Sequence, residues 1–537
     1  MSNTSRPLNH KGSVSSQSLE HGLDERARER WILVATIVGS SLVFIDANVV
    51  NVALPQIQAD LSADVSGVQW VVEAYSLFLA SLMLVGGSLG DRFGLKRIFA
   101  IGIALFAAAS MWCGLAPNAT QLIVARAVQG IGGALLTPGS LAIIRATFSA
   151  ARRGRAIGLW SGFSAITSAL GPLLGGWLVQ HVSWRWVFFI DIPLALVVLA
   201  VLFLPLRHLS TVATNESGVA RGLDWPGALL TTLGLGGLVF GLVESNTLGL
   251  SNRFVLLAIG VGLLALIAFV FVEVRSASPM MPLKLFRSPT FSGTNLLTLF
   301  LYAALSGSLF FLPFDLIQAQ GYSATAAGAS LLPFTLLMFA LSRWSGGLVN
   351  RFGAKLPLIV GPLVAAAGFA LFALPGVGGS YWTTFFPAVM VLGLGMSITV
   401  APLTTAVLGA VSDRYAGIAS GINNAVSRLG GLLAIAILSI FVLNVFTASL
   451  NSRLASLPVS ASVRQAILAQ SNRLAGVQIP PGIPPALRHS LEQAVAASFV
   501  SGFRVAMLIG CGLALAAALS ALLLVEGKPP RSRRQQQ

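Results

Sequence analysis

Apolar residues fill the chain in runs long enough to cross about 30 Å of hydrocarbon, broken by short polar segments. The runs lie near 31–55, 69–90, 98–116, 121–143, 156–179 and 186–206, then 225–245 and 254–273. A further set lies near 291–313, 326–348, 356–376, 383–408, 416–445 and 500–525. Each run predicts a membrane-spanning helix, fourteen in all, numbered here in chain order. An even number places both termini on one side. The interval 446–499 is polar enough to be wet. It carries Pro480, Pro481, Pro484 and Pro485 between two modest helical patterns, which fits a small external cap or a flexible loop.

The polar residues say which way the chain faces. With the N-terminus inside, the inward segments hold Arg26, Arg28, Arg30, Arg92, Lys96, Arg97, Arg152, Arg153, Arg155, Arg207, Arg221, Arg275, Lys284 and Arg287. They also hold Arg351, Lys355, Arg414, Lys528, Arg531, Arg533 and Arg534, whereas the short outward loops hold only Arg185 and Arg253. That asymmetry is the positive-inside signature, so both termini are expected in the cytoplasm of a cell-membrane protein. It also turns the net charge of +16 into an orientation signal, leaving nucleic-acid binding as the weaker reading. Charged residues make up 10% of the chain, against roughly 25% in soluble domains, which excludes a water-soluble fold. The polar first 30 residues contain no apolar core, so no cleavable signal peptide is expected.

Metal and phosphate chemistry find no support. Cys113 and Cys511 lie in apolar runs. His10, His21, His181, His208 and His489 lie in tails or between runs, and no HExxH, CxxC or GxxxxGK[ST] occurs. The expectation is no enzyme, no metal and no cofactor.

The loops contain an internal repeat. GSLGDRFGLK at Gly87–Lys96 returns as GGLVNRFGAK at Gly346–Lys355, identical at six of ten positions with an offset of 259 residues. At the same offset, GLWSGFSAITSALGPLLGG from Gly158 lies over GIASGINNAVSRLGGLLAI from Gly417 with eight identities in nineteen. Spans 1–6 therefore repeat as spans 9–14, with spans 7 and 8 inserted. Parallel six-span halves around a midplane site are the architecture of secondary transporters. The expected organisation is an N-terminal tail at 1–30, a six-helix bundle at 31–206 and a linker with two extra spans at 207–290. A second bundle follows at 291–525, then a basic tail at 526–537.

Gly87-Ser88-Leu89-Gly90-Asp91-Arg92-Phe93-Gly94-Leu95-Lys96-Arg97 resembles the signature between spans 2 and 3 of the major facilitator superfamily. Asp46-Ala47-Asn48-Val49-Val50-Asn51-Val52-Ala53-Leu54-Pro55, Arg126-Ala127-Val128-Gln129-Gly130, Gly171-Pro172-Leu173-Leu174-Gly175-Gly176 and Trp184-Arg185-Trp186 resemble its fourteen-span drug:proton antiporters of the EmrB/QacA type. The resemblance covers about residues 31–525 and implies an all-α polytopic membrane protein with the major facilitator fold, two six-helix bundles plus two linker helices. It also implies a gating latch at Gly87, Asp91, Arg92, Gly94 and Arg97 that favours the outward-facing state, and an antiporter motif at Gly171, Pro172, Gly175 and Gly176. Two departures stand out: Asn350 replaces Asp91 in the second copy, and Asp191 stands where the family usually has Asn.

Charges left inside the slab are costly and usually functional. Asp46 lies about 22 Å along span 1 from Trp31, and Glu73 and Arg126 reach a similar depth from the outer ends of spans 2 and 4 at about 1.5 Å per residue. Desolvation and the competition of two acids for one arginine suit proton exchange coupled to substrate binding. Asp46, Glu73 and Arg126 are therefore the proton-coupling candidates; a non-titrating Asp46 hydrogen-bonded to Asn48, Asn51 or Arg126 is the structural alternative. Asn48, Asn51, Tyr75, Gln129 and Arg428 are the substrate-pocket candidates, with a structural clamp an equal reading for Arg428. Asp315 and Glu244 are expected at wet outer rims. Trp70, Phe310, Phe311 and Phe314 suit packing or an interfacial belt better than a pocket.

These residues predict proton-coupled efflux of amphipathic or lipophilic small molecules by alternating access, drawing on the proton gradient. The rivals are a dedicated exporter of one metabolite, antibiotic or siderophore, and a non-transporting membrane sensor. The expected partners are lipid, substrate and protons. A monomer is expected, and assembly with a periplasm-spanning adaptor stays open.

Overall fold

The computed structural model describes residues 13–203, 225–276, 281–412 and 415–527. Arg207, Arg221, Arg414, Lys528, Arg531, Arg533 and Arg534 lie outside them, as do the side chains of Arg26, Asp91 and Asn350. The described secondary structure is helical throughout.

Among the described residues, fourteen helices are long and apolar enough to cross a membrane. The first six are Arg28–Asp60, Val65–Met83, Leu95–Leu115, Ala119–Thr147, Arg155–His181 and Trp186–Phe203; spans 7 and 8 are Trp225–Leu248 and Arg253–Arg275. The last six are Pro289–Ala319, Ala324–Ser342, Lys355–Phe372, Phe386–Gly409, Gly417–Ala455 and Pro485–Leu524. In hydrocarbon the backbone must satisfy its own polar groups, which is why such runs fold as helices.

Helix packing repeats with the sequence. In the first half span 4 packs against spans 2 and 3, and span 1 against spans 5 and 6; in the second half span 12 packs against spans 10 and 11, and span 9 against spans 13 and 14. Small residues let these backbones touch. A Cβ on Gly130 would collide with the Tyr75 carbonyl across spans 4 and 2, and one on Gly430 would lie 2.6 Å from the Leu299 carbonyl across spans 13 and 9. Spans 7 and 8 pair with each other, Gly237 packing at the Ala258 carbonyl, and attach through span 7 to spans 2 and 13. Span 8 turns Leu256, Leu257, Leu264, Ile267 and Val274 outward, as a lipid-facing helix should.

Among the described residues, the two halves meet closely at one end only. There span 5 crosses the first turns of span 10. A Cβ on Gly176 would collide with the Ala324 carbonyl, and one on Gly328 with the Pro172 carbonyl. At the opposite end, which carries Arg92, Arg97, Arg152, Arg153, Arg351 and Lys355, the halves part. A Cβ on Gly158, Gly162, Gly346 or Gly347 would meet nothing within 4 Å.

The interval 446–499 is a folded cap. Spans 13 and 14 overrun the slab as forty-residue helices, Ala416–Ala455 and Pro485–Leu524, joined through Ala461–Leu468 and a 3-10 turn at Ser471–Gly476. Leu454, Ile467, Leu474 and Leu491 are buried in it. The Gln58 side chain at the end of span 1 donates to the Arg473 carbonyl at 3.2 Å, tying the cap to the first half.

Candidate functional site

Two adjoining sites lie between the helices: a buried charged pocket inside the first half and a cavity between the halves.

In the pocket, Arg126 Nη1 donates to both carboxylate oxygens of Asp46, at 2.8 and 2.7 Å, and to Gln129 Oε1 at 2.6 Å. Arg126 Nε donates to the Val71 carbonyl at 2.9 Å. The guanidinium lies over the Tyr75 ring, 4.2 Å from its centroid. Gln129 is three residues from Arg126 and so shares its helix face. Its Nε2 donates to Asp46 Oδ1 at 3.0 Å and to Ser110 Oγ at 2.8 Å. Asp46 and Gln129 are 0% exposed and Arg126 is 1% exposed. Such a pair persists in low dielectric because every charge is matched and hydrogen-bonded.

The cavity has a volume of about 880 Å³, within the roughly 300–1,000 Å³ of small-molecule sites. Its first-half wall includes Asn48, Asn51, Glu73, Gly162 and Ser168; the second-half wall includes Tyr302, Phe310, Phe334, Met338, Asn424 and Arg428. Glu73 and Arg428 are the two charged residues among the described lining, one from each half. Neither carboxylate oxygen of Glu73 has a hydrogen-bond partner, and no ion pair joins it to Arg428 within 4.0 Å. Lining residues extend along span 5 to Gly158 and along span 10 to Ser342, so the cavity runs toward the basic end.

This arrangement corrects several expectations. Glu73 is apart from the Asp46–Arg126 network and borders the cavity, because it points from the opposite side of span 2 to Tyr75, two residues on and about 200° around a helix. Tyr75 and Gln129, expected in the substrate pocket, are instead packed around the ion pair. Asp46 takes its amide partner from Gln129, while Asn48 Nδ2 donates to the Phe44 carbonyl and to Ser168 Oγ, and Asn51 Nδ2 to the Ala47 carbonyl. Asp315, expected at a wet rim, is 1% exposed. The helix breaks after Phe310, and a π turn at Asp315–Ala319 carries this side chain inward, where Oδ2 accepts from Gln320. Glu244 is half-buried and accepts from Trp70 Nε1 at 2.9 Å.

Two residues outside the expected set hold the walls together. Gln69 of span 2 is fully buried; its amide donates to the Ile435 carbonyl and to Ser439 Oγ of span 13. Its carbonyl accepts from Asn246 of span 7. Ser110 joins Gln129 to Asp191, whose Oδ2 accepts at 3.0 Å. An uncharged polar residue in an apolar run was the only sequence signal for either.

The antiporter motif faces two ways. A Cβ on Gly171 would lie 2.9 Å from Asn48 Cβ, and one on Gly175 2.8 Å from the Val49 carbonyl, so span 5 is pressed against span 1. The next residue, Gly176, meets span 10 at the closed end. In the loop after span 2, Gly87 packs near Pro138, and Gly94 takes φ +97°, the left-handed turn that glycine permits. Arg92 and Arg97 are exposed and form no ion pair among the described residues.

Six-plus-six repeated packing around a central cavity that opens at one end defines a secondary transporter. The chain belongs to the Major Facilitator Superfamily, whose family model matches residues 36–435. It is 34% identical over 512 residues to the tetracenomycin C resistance and export protein of Streptomyces glaucescens, covering 94% of this chain and 93% of that one. It is 33% identical over 490 residues to the multidrug resistance protein Stp of Mycobacterium tuberculosis, covering 89% and 88%. The fold also resembles a bacterial homologue of the human lysosomal transporter Spinster, with a TM-score of 0.59 at 19% identity, covering 92% and 98%. The xylose transporter XylE from E. coli aligns with a TM-score of 0.56 at 14% identity, covering 93% and 97%.

Proposed function

We propose that the protein exports amphipathic or lipophilic small molecules by proton-coupled antiport across the cell membrane, with the basic end and both termini cytoplasmic. The single observation that carries this reading is the separation of a buried carboxylate–arginine pair from a large cavity open at the basic end, the two sharing span 1. Asp46 belongs to the pair, while Ala47, Asn48 and Asn51 line the cavity.

The geometry couples them as follows. A proton on Asp46 removes the charge that holds Arg126, so span 1 is released from spans 2 and 4. Span 1 is pressed against Gly171 and Gly175 of span 5, and span 5 forms the closed end through Gly176. A shift of span 1 is thereby passed to the crossing of spans 5 and 10, the element with two arrangements that alternating access requires. With the basic end in the cytoplasm, the described form is inward-facing, which fits the exposed Arg92 and Arg97 of an open latch.

The cavity supports a broad range of substrates. Its walls are mostly apolar, with scattered amide and hydroxyl groups, and it offers one acid and one base that are not spent on each other. The relatives named for resistance to or export of antibiotics support the same class of cargo. Inward proton movement would supply about 2.3 kcal/mol per 100 mV, plus any pH gradient.

In proteoliposomes an imposed pH gradient is expected to drive uptake of a lipophilic cation. Asp46→Asn is expected to abolish that uptake while the protein still elutes as a folded species. Full gradient-driven transport by Asp46→Asn would reject the role of this pair. Competition among chemically unrelated compounds would separate a multidrug pocket from a dedicated exporter.

A further inference from the structure

The charged pocket contains a second buried acid that the ion pair does not use. Asp191 opens the second segment of span 6, Asp191–Phe203, and is 0% exposed. Its Oδ2 accepts from Ser110 Oγ at 3.0 Å, and Ser110 accepts from the same Gln129 Nε2 that donates to Asp46. Its Oδ1 is buried with no hydrogen-bond partner. The groups whose fields reach Asp191 are Asp46 from span 1, Tyr75 from span 2, Ser110 and Cys113 from span 3 and Arg126 from span 4; span 5, which also touches span 6, adds none. Arg185 points elsewhere, donating to the Gly114 and Ala116 carbonyls.

The charge count is therefore two acids to one base. With all three ionised the pocket would hold a net negative charge away from water, and its unmatched carboxylate would carry one orphaned oxygen. Burying an unpaired charge costs several kcal/mol, and such groups take up a proton instead.

We propose that Asp191 carries a resident proton while Asp46 is paired with Arg126, and that ionised Asp191 is the counter-charge of Arg126 whenever Asp46 is neutral. In the first arrangement Asp46 and Arg126 cancel and Asp191 is neutral. In the second, Asp46 has taken a proton from the side opposite the basic end and the Asp191 carboxyl has released its own toward the basic end, so one proton crosses and the Asp191 carboxylate balances Arg126. The pocket is electrically neutral in both, so emptying Asp46 of charge does not leave a bare guanidinium in the membrane. Asp191 is thus a positioning residue that acts through Arg126. The inference rests on the proton-coupled reading above.

Infrared difference spectroscopy of the full-length protein in detergent tests the inference directly. The carbonyl stretch of a protonated carboxylic acid is expected in wild type minus Asp191→Asn. The same band is expected in wild type minus Asp46→Asn, although Asp46 itself is ionised in wild type, because Asp191 gives up its proton to balance Arg126. The second comparison stands even if Asp191→Asn fails to fold. Absence of the band from the Asp46→Asn comparison overturns the proposal, as does a folded Asp191→Asn protein that loses no such band.

In proteoliposomes, Asp191→Asn mimics the proton-loaded side chain. It is expected to keep substrate counterflow while gradient-driven uptake falls about tenfold, within the usual range of coupling between sites. Asp191→Glu is expected to recover part of the loss. Unchanged gradient-driven uptake by Asp191→Asn overturns the compensating role. Gradient-driven transport by Asp46→Asn would instead reject proton coupling at the pair, a failure distinct from the infrared result.

Discussion

Arg126 reaches Asp46 with a single nitrogen: Nη1 donates to both carboxylate oxygens, at 2.8 and 2.7 Å, while Nε holds the Val71 carbonyl of span 2 at 2.9 Å. One side chain thus fastens span 4 to spans 1 and 2. Lysine has neither the second direction nor the flat face that lies over Tyr75. Arg126→Lys is therefore expected to fold yet lose gradient-driven transport by more than about tenfold, within the range of coupling energies. Arg126→Ala, which leaves Asp46 buried and unmatched, is expected to lower stability by about 3–5 kcal/mol. Thermal unfolding in detergent reads the loss, and adding Asp46→Asn should restore part of it. Equal stability of the single and double variants would reject the pairing as the cause.

Glu73 accepts no hydrogen bond, so its carboxyl is free to ionise against a cationic cargo. Glu73→Gln is expected to unfold no earlier than wild type, since no hydrogen bond is lost and the amide matches the carboxyl in size. Its transport of a monovalent lipophilic cation should fall about tenfold relative to a neutral compound of similar size, a difference of about 1.4 kcal/mol. Arg428→Gln should spare the cation. Kinetic constants for paired cationic and neutral substrates check this, and an unchanged ratio in Glu73→Gln would remove Glu73 from cargo recognition.

The crossing of spans 5 and 10 has no room for a side chain. Gly176→Val would drive a branched group into the Ala324 carbonyl and so bars closure of that end. The expected protein is folded, transport-inactive and biased toward the opposite opening. A cysteine introduced at Gly346, where a Cβ meets nothing within 4 Å, should then react more slowly with a membrane-impermeant thiol reagent applied from the basic side. Wild-type labelling and transport in Gly176→Val would show that the crossing does not gate.

Gln69 ties span 2 to span 13 through Ser439 and the Ile435 carbonyl, and to span 7 through Asn246. Gln69→Leu removes both cross-half bonds. Hydrogen bonds between membrane helices are worth about 0.6–1.7 kcal/mol, so the ratio of the two openings should move about fivefold away from the described form. Spin labels at cysteines replacing Gly158 and Gly346 would report the change as a distance distribution. An unaltered distribution would limit Gln69 to holding span 7 in place.

Depth was legible in the sequence and rotation was not. Span length, the charge asymmetry of the loops and the rise per residue located Asp46, Glu73 and Arg126 at one level, and two matches at one offset revealed the repeat. A helix surrounded by lipid and other apolar helices carries no polar face to mark its orientation. Nothing in WVVEAYS therefore told which of Glu73 and Tyr75 meets Arg126. Asp315 departs from the expected wet rim for a related reason: its position depends on a π turn after Pro313, which alters both depth and direction. Gln69 and Ser110, uncharged residues in apolar runs, acquire meaning only from partners hundreds or tens of residues away.

The cavity and the charged pocket are separate rooms in this protein. No member of the Asp46, Arg126, Gln129 and Asp191 set lines the cavity, and of the described lining only Glu73 and Arg428 carry charge. A wall residue such as Phe334 or Met338 can therefore be exchanged without touching the buried ion pair. Descendants of such a chain can change what they expel by redecorating one chamber, and inherit the motor intact.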